Sequence, residues 1–169
     1  MKIKITSLSE GRHFYNFTES VEFLELPNEF FGNVHVNVLL EKTKDHILIK
    51  VSINANRHCE CDRCLREYDR SFTNEYHMFY ISDIQNKKLY NEDVVTVIRK
   101  DQDYIDISND VREYILLSVP MKNLCKEDCQ GLCPRCGSDL NFRQCICETE
   151  KVDPRWLALK GLLNNKSGN

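Results

Sequence analysis

Apolar residues recur at every second position through much of the first half of the chain. Val34, Val36 and Val38 alternate with His35 and Asn37, and Ile47, Ile49, Val51 and Ile53 alternate with Leu48, Lys50 and Ser52. A period of two marks strands with one buried and one wet face, and Thr43-Lys44-Asp45 between the two runs suits a hairpin turn. A third strand is expected from Phe72 to Tyr80, where Phe72, Tyr76, Met78 and Tyr80 share a face that Asn74 interrupts. Asp83 to Glu92 is polar and reads as a loop, with further short strands expected at Val94–Ile98 and Tyr104–Ile107. The period then lengthens. From Asn109 to Val119 the residues Val111, Tyr114, Ile115, Ser118 and Val119 line one face of a helix. Leu116 and Leu117 widen that apolar surface, Ser108 is placed to cap the start, and Pro120 ends the helix.

From Leu124 to Cys147 this patterning stops. Six cysteines fall in that stretch, and few other apolar residues are present to build a core, so metal is expected to take the core's place. The chain closes on a second helical pattern, Pro154 to Leu163, with Asp153 as cap, Pro154 in the first helical position, and Trp156, Leu159 and Leu163 on one face. The fold expected is α+β: an antiparallel β-rich core over residues 1–120 with one docked helix near 108–119, then a zinc-ribbon-like cysteine module and a C-terminal helix over 121–164, and a disordered tail at 165–169.

Composition narrows the class. With 169 residues, 41% hydrophobic and 29% charged, and only 6 Gly and 4 Pro, the chain has the profile of a folded protein of one domain or a domain with a small appendix. The first ten residues hold no apolar run after their lysines, and no stretch approaches the ~20 apolar residues of a membrane helix, so a cytoplasmic protein without membrane contact is expected. A reducing cytosol disfavours disulfides, which leaves metal binding or redox chemistry to account for nine cysteines.

Eight of the nine form pairs: Cys61/Cys64, Cys125/Cys129, Cys133/Cys136 and Cys145/Cys147, with Cys59 left over. A pair at such spacing presents two sulfurs from one tight turn, and two pairs complete a tetrahedral Zn²⁺ shell, so two structural ions are expected. Cys133-Pro134-Arg135-Cys136-Gly137 is the strongest single signal, because N–H groups beyond Cys133 can donate to its thiolate and Gly137 permits the positive φ that returns the chain to the metal. Spacing leaves two groupings open. Sequential use joins Cys125, Cys129, Cys133 and Cys136 and leaves Cys61/Cys64 to meet Cys145/Cys147. The other joins Cys61, Cys64, Cys125 and Cys129, with Cys133, Cys136, Cys145 and Cys147 as a sequence-local second site. The latter is preferred for its sensible loop.

Catalysis is not expected at an ion closed by four thiolates, and the sequence holds no phosphate-binding glycine loop, G-x-S-x-G or H-E-x-x-H. Cys61/Cys64 lacks the surroundings of a thiol–disulfide exchanger. His58 and Cys59 stand beside the first pair as possible substitute ligands, with a bystander thiol the preferred reading; His13, His35, His46 and His77 show no metal spacing. Formal charge is −3, and two Zn²⁺–thiolate centres would take it to about −7, so any RNA contact has to be local. Arg57, Arg63, Arg66, Arg70, Lys122, Lys126, Arg135 and Arg143 interleave with acids, which reads first as solvated surface or screening of the centres and second as a small docking patch.

These residues resemble a known family. Cys61-Asp-Arg-Cys64-Leu65, the run from Glu113 through Pro120, Cys125, Cys129 and Cys133-Pro-Arg-Cys136-Gly137 to Asn141, then Cys145-Ile-Cys147 and Asp153-Pro-Arg155, are similar to the YceD family of large ribosomal RNA subunit accumulation proteins. The likeness is specific from Glu113 to Arg155 and looser from Arg57 to Tyr80, with only strand-rich character agreeing before that. Ser118-Val119-Pro120 stands where the family has Ala-Leu-Pro. The resemblance implies a role in synthesis, processing or stability of large-subunit ribosomal RNA, directly or through a protein or pre-ribosomal particle, without catalytic residues. Relatives that keep the first pair and a later Cys/His group but lack the ribbon agree with the preferred grouping. A zinc or thiol redox sensor and a protein–protein adaptor docking through Pro154–Leu163 are the competing classes. Oligomeric state is not legible.

Overall fold

The computed structural model describes residues 1–81, 95–99 and 101–147. Its main sheet has five strands: β2 (Gly11–Ser20), β3 (Phe30–Lys42), β4 (His46–Glu60), β5 (Glu67–Ile81) and β6 (Val95–Val97), in the order β2-β3-β4-β5-β6. A two-stranded sheet pairs β1 (Lys2–Lys4) with β7 (Tyr104–Asp106), and α1 (Ser108–Leu117) follows directly. The alternation of valines and isoleucines sets the register: Val36 faces Ile53, Val38 faces Val51 and Leu40 faces Ile49 across β3 and β4, all nearly inaccessible to water. Each such side chain contributes about 1.5–3 kcal/mol on burial, so a one-residue slip that turned this face outward would be prohibitive.

Thr43-Lys44-Asp45 form the expected turn, with Thr43 N–H donating to the His46 carbonyl at 2.9 Å. The strands outrun their apolar cores, however. β4 continues to Glu60, seven residues beyond Ile53, and β5 begins at Glu67, five before Phe72, because backbone pairing from His58↔Asp69 to Glu60↔Glu67 persists where the alternation has faded. That extension carries the hairpin end to Cys61 and Cys64. β6 runs parallel to β5, so the sheet is antiparallel except at that edge.

The helix docks on the buried face. Val111 and Ile115 point into the core beside Ile105 and Ile107, the Tyr114 ring stacks on Tyr76 at 4.0 Å and 2°, and Asn74 Nδ2 donates to the Tyr114 carbonyl at 2.8 Å. Asn74, an apparent break in the β5 pattern, is thus the residue that ties helix to sheet. Two expectations fail in detail. Leu117 is 76% exposed, since it falls beyond the docked face. Ser108 is not the cap: the buried Ile107 holds that position because its side chain belongs to the core, and Asp106 Oδ1 accepts from the Ser108 N–H at 3.0 Å instead.

The opposite face of the sheet alternates to polar residues, with Phe14, Leu39, Lys50 and His77 in register across four strands. The cluster that forms the hydrophobic core contains no residue from 120 to 147. Among the described residues, no helix is long and apolar enough to cross a membrane. The loop expected at 83–92, the C-terminal helix at 154–163 and the tail at 165–169 lie outside the described residues.

Candidate metal centres

At the end of the β4–β5 hairpin the backbone folds into a tight knuckle. Leu65 N–H donates to the Cys61 carbonyl at 2.8 Å and Cys61 N–H to the Arg66 carbonyl at 2.9 Å, which aims both Cys61 and Cys64 to one side. The segment after Pro120 is brought over them by Asp62: its N–H donates to the Asn123 carbonyl at 2.9 Å, and its carboxylate accepts from the Asn123 N–H at 2.7 Å. Cys125 and Cys129 thereby meet the knuckle. Cys61 and Cys129 sulfurs lie 3.7 Å apart, and Cys64 and Cys125 sulfurs 3.6 Å.

A second tetrad forms downstream. Cys133 N–H donates to the Ser138 carbonyl at 2.8 Å and Gly137 N–H to the Cys133 carbonyl at 2.9 Å, with Gly137 at φ +69°. This turn sets Cys136 and Cys133 against Cys145, at 3.5 and 3.3 Å between sulfurs, and Cys147 completes the group. In each tetrad all four sulfurs lie within 4.8 Å of one another. The sulfurs have therefore converged in the second of the two groupings left open by spacing.

None of the nine cysteines is joined in a disulfide. Tetrahedral Zn²⁺ with Zn–S near 2.3 Å requires sulfurs about 3.8 Å apart, whereas a disulfide requires about 2.05 Å. The separations of 3.6 and 3.7 Å in the first tetrad and 3.3 and 3.5 Å in the second lie far from the latter and near the former, so these clusters have the donor set and spacing to hold metal ions. The surroundings divide the sulfurs of each tetrad between thiolate and thiol. Burial opposes ionisation of Cys61, yet N–H groups of Cys125, Cys64 and Arg63 bring its thiol down to about 6. Ser138, through its hydroxyl and its N–H, brings Cys136 down to about 6 as well. Burial and the neighbouring sulfurs push Cys125 up to about 12, and Cys145 and Cys136 do the same to Cys147. Each tetrad thus retains protons that a dication would displace.

The two differ in exposure. Cys61, Cys64 and Cys129 are buried, while Cys136 is exposed. The first tetrad packs with Tyr68, Leu124 and Leu132 in a small cluster of its own, separate from the main core.

Cys59 is buried but joins neither tetrad; its Sγ donates to the Arg57 carbonyl at 3.8 Å and accepts from Arg57 Nη1 at 3.9 Å. His58 stacks on Phe31 at 4.1 Å and meets Asp69 through Nδ1. Among the described residues no histidine joins a metal-competent group. The basic residues near the tetrads are largely engaged within the protein. Arg57 pairs with Glu29 at 2.8 Å, Lys126 with Asp128 at 3.6 Å and Arg66 with Asp139 at 3.2 Å, and Arg63 Nη1 donates to the Cys129 carbonyl.

Several residues that shape the site carry no chemistry of their own and were not singled out by spacing. Gly131, at φ +74°, packs so closely that a Cβ there would lie 2.8 Å from the Arg63 carbonyl oxygen, which accepts from the Leu132 N–H at 3.0 Å. Asn141 Nδ2 reaches Cys129 Sγ at 3.4 Å. The glycine was visible in Gln130-Gly131-Leu132; its partner, Arg63, was not.

The profile of the family described as large ribosomal RNA subunit accumulation protein YceD matches residues 49–163. The uncharacterized protein YlbN of Bacillus subtilis is 30% identical over 161 residues, covering 88% of each chain. An uncharacterized protein of Mycobacterium tuberculosis is 28% identical over 137 residues, which cover 78% of this chain and 63% of that one, so the chain spans less than two thirds of that relative's length. A chloroplastic large ribosomal RNA subunit accumulation protein YCED homolog of Arabidopsis thaliana is 39% identical over 49 residues, 29% of this chain and 15% of that one. No solved structure matches. The region that holds both tetrads falls inside the matched span, and the chain belongs to the YceD family.

Proposed function

We propose that this protein is a non-catalytic, zinc-stabilised factor that supports the accumulation, processing or stability of large-subunit ribosomal RNA, acting in the cytoplasm by binding. The observation that carries the reading is the pair of four-cysteine tetrads inside the family-matched span. Cys61, Cys64, Cys125 and Cys129 hold one Zn²⁺, and Cys133, Cys136, Cys145 and Cys147 hold the other. Four thiolates leave no position for water or substrate, so the ions supply structure. Their weight is large: a structural Zn²⁺ contributes on the order of 10–16 kcal/mol in apparent binding energy, against a typical domain stability of about 5–15 kcal/mol. The segment from 121 to 147, which has no share in the main core, depends on them.

With a formal charge of −3, falling to about −7 with both ions bound, the protein does not attract RNA broadly. Contact with large-subunit RNA or a pre-ribosomal particle is local, or passes through a protein.

Two measurements test this. Elemental analysis finds two zinc ions in the full chain and one in each of Cys61→Ser and Cys136→Ser, while chelation melts 121–147 and leaves the exchange-protected sheet intact. Deletion of the gene lowers large-subunit ribosomal RNA and the protein co-sediments with large-subunit precursors; unchanged RNA together with no association refutes the role. The exposure of Cys136 favours a second reading, a thiol redox sensor. Mild peroxide then releases zinc at doses that damage nothing else, and no release at such doses removes that reading.

A further inference from the structure

The segment that closes the second tetrad lies against the first. Between Cys136 and Cys145 the chain turns at Asp139-Leu140-Asn141-Phe142, and each of these residues has a contact that reaches back. Asp139 pairs with Arg66 at 3.2 Å, and the Arg66 guanidinium sits 4.6 Å over the Phe142 ring. Leu140 N–H donates to the Gly131 carbonyl at 2.9 Å. Asn141 does most. Its Oδ1 accepts from the Gln130 N–H at 2.9 Å, and its Nδ2 lies 2.7 Å from Asp139 Oδ1 and 3.4 Å from Cys129 Sγ.

The sulfur contact is the informative one. An amide N–H aimed at a cysteine sulfur fixes the lone-pair direction that the sulfur offers to a metal. The donor comes from the segment between two cysteines of the other tetrad. We infer that the 139–142 turn is the outer shell of the first centre, with Asn141 as a positioning residue for the Cys129 sulfur, so that the two centres take up metal as one coupled unit. The inference rests on the reading of both tetrads as metal centres.

The coupling follows from what orders the turn. Phe142 and Ile146 are exposed, so among the described residues the stretch from 133 to 147 has little apolar packing to hold its shape. Metal at the second centre closes the loop that contains the turn, and the turn then delivers the Asn141 amide to Cys129. Linkage makes the effect mutual: whatever factor the second ion adds to affinity at the first, the first adds at the second.

Cobalt(II) titration of the full chain against a competing chelator tests it, with Cys61→Ser and Cys136→Ser assigning the two binding steps. Asn141→Asp is the discriminating variant, because it keeps the acceptor for Gln130 N–H and replaces the donor to Cys129; Asn141→Leu removes both. In each, two ions still bind, affinity at the first centre falls about 10- to 100-fold, and the thiolate-to-cobalt charge-transfer band of that centre shifts. Cys136→Ser lowers first-centre affinity by a similar factor, and Cys61→Ser lowers second-centre affinity equally. The inference is overturned if first-centre affinity in Asn141→Asp and in Cys136→Ser stays within about twofold of the parent, or if the band does not move. A parent chain that binds no cobalt refutes the metal reading itself, which is a different failure.

Discussion

Replacing Gly131 by alanine asks how closely the two halves of the first centre must approach. Two costs follow from the geometry. The backbone at φ +74° is one that an L side chain adopts at about 1–2 kcal/mol, partly offset by the roughly 0.4–1 kcal/mol that alanine gains over glycine by restricting the unfolded chain. The new Cβ would also sit 2.8 Å from the Arg63 carbonyl oxygen and 3.3 Å from Arg63 Cβ, so the 61–66 knuckle has to move away. That movement lengthens the 3.0 Å hydrogen bond from Leu132 N–H to the same carbonyl, worth about 0.5–1.5 kcal/mol when lost and about 1–3 kcal/mol when a buried partner is left unmet. Gly137→Ala is the internal control. Gly137 has φ +69° but, among the described residues, nothing within 4 Å of its Cβ position, so it carries the backbone cost alone. Gly131→Ala is therefore expected to destabilise the metal-loaded protein by about 1–3 kcal/mol more than Gly137→Ala, read from guanidinium unfolding with metal release followed by a chromogenic chelator. Gly131→Ala should also weaken metal at the first centre selectively. If the two variants unfold within about 0.5 kcal/mol of each other, the close approach at Arg63 has no energetic meaning and the reasoning fails.

Two further predictions concern the sheet and its helix. Among the described residues the Tyr76 hydroxyl is buried without a hydrogen-bond partner while its ring stacks on Tyr114, so Tyr76→Phe keeps the stack and removes the unmet group; urea unfolding should show stability unchanged or raised by about 1 kcal/mol, and a loss of more than that argues for a partner. Burial, with Glu113 and Asp106 nearby, holds the Asp110 carboxyl above its ordinary 3.8, against the pull of a hydrogen bond from Tyr80. The folded state thus binds that proton more tightly than the unfolded chain. The resulting stabilisation is complete below about pH 4 and is lost as pH rises through the raised value, so the stability of Asp110→Asn relative to the parent should increase with pH across that acidic window; a constant difference refutes the assignment.

What could be read from the sequence was what short-range geometry dictates. The period of two placed β3 and β4, Thr43-Lys44-Asp45 placed their turn, and Pro120 bounded the helix. The cysteine spacings named all eight members of the tetrads, because two sulfurs two to four residues apart can turn to one side of the chain whatever the rest of it does. Where a residue faces two environments the pattern failed: β2, at the sheet edge, puts Phe14 on one face and Tyr15 and Phe17 on the other, and no clean alternation marks it. Ile107 displaced Ser108 from the cap because the core, which is assembled from distant strands, claimed the side chain. The partnerships that assemble the tetrads were decided by tertiary structure alone. Asp62 with Asn123 and Arg63 with Gly131 join groups whose separations in sequence carry no preference, and the extension of the β4–β5 hairpin to Cys61 and Cys64 brings them together, while the turn at 139–142 carries Asn141 to Cys129.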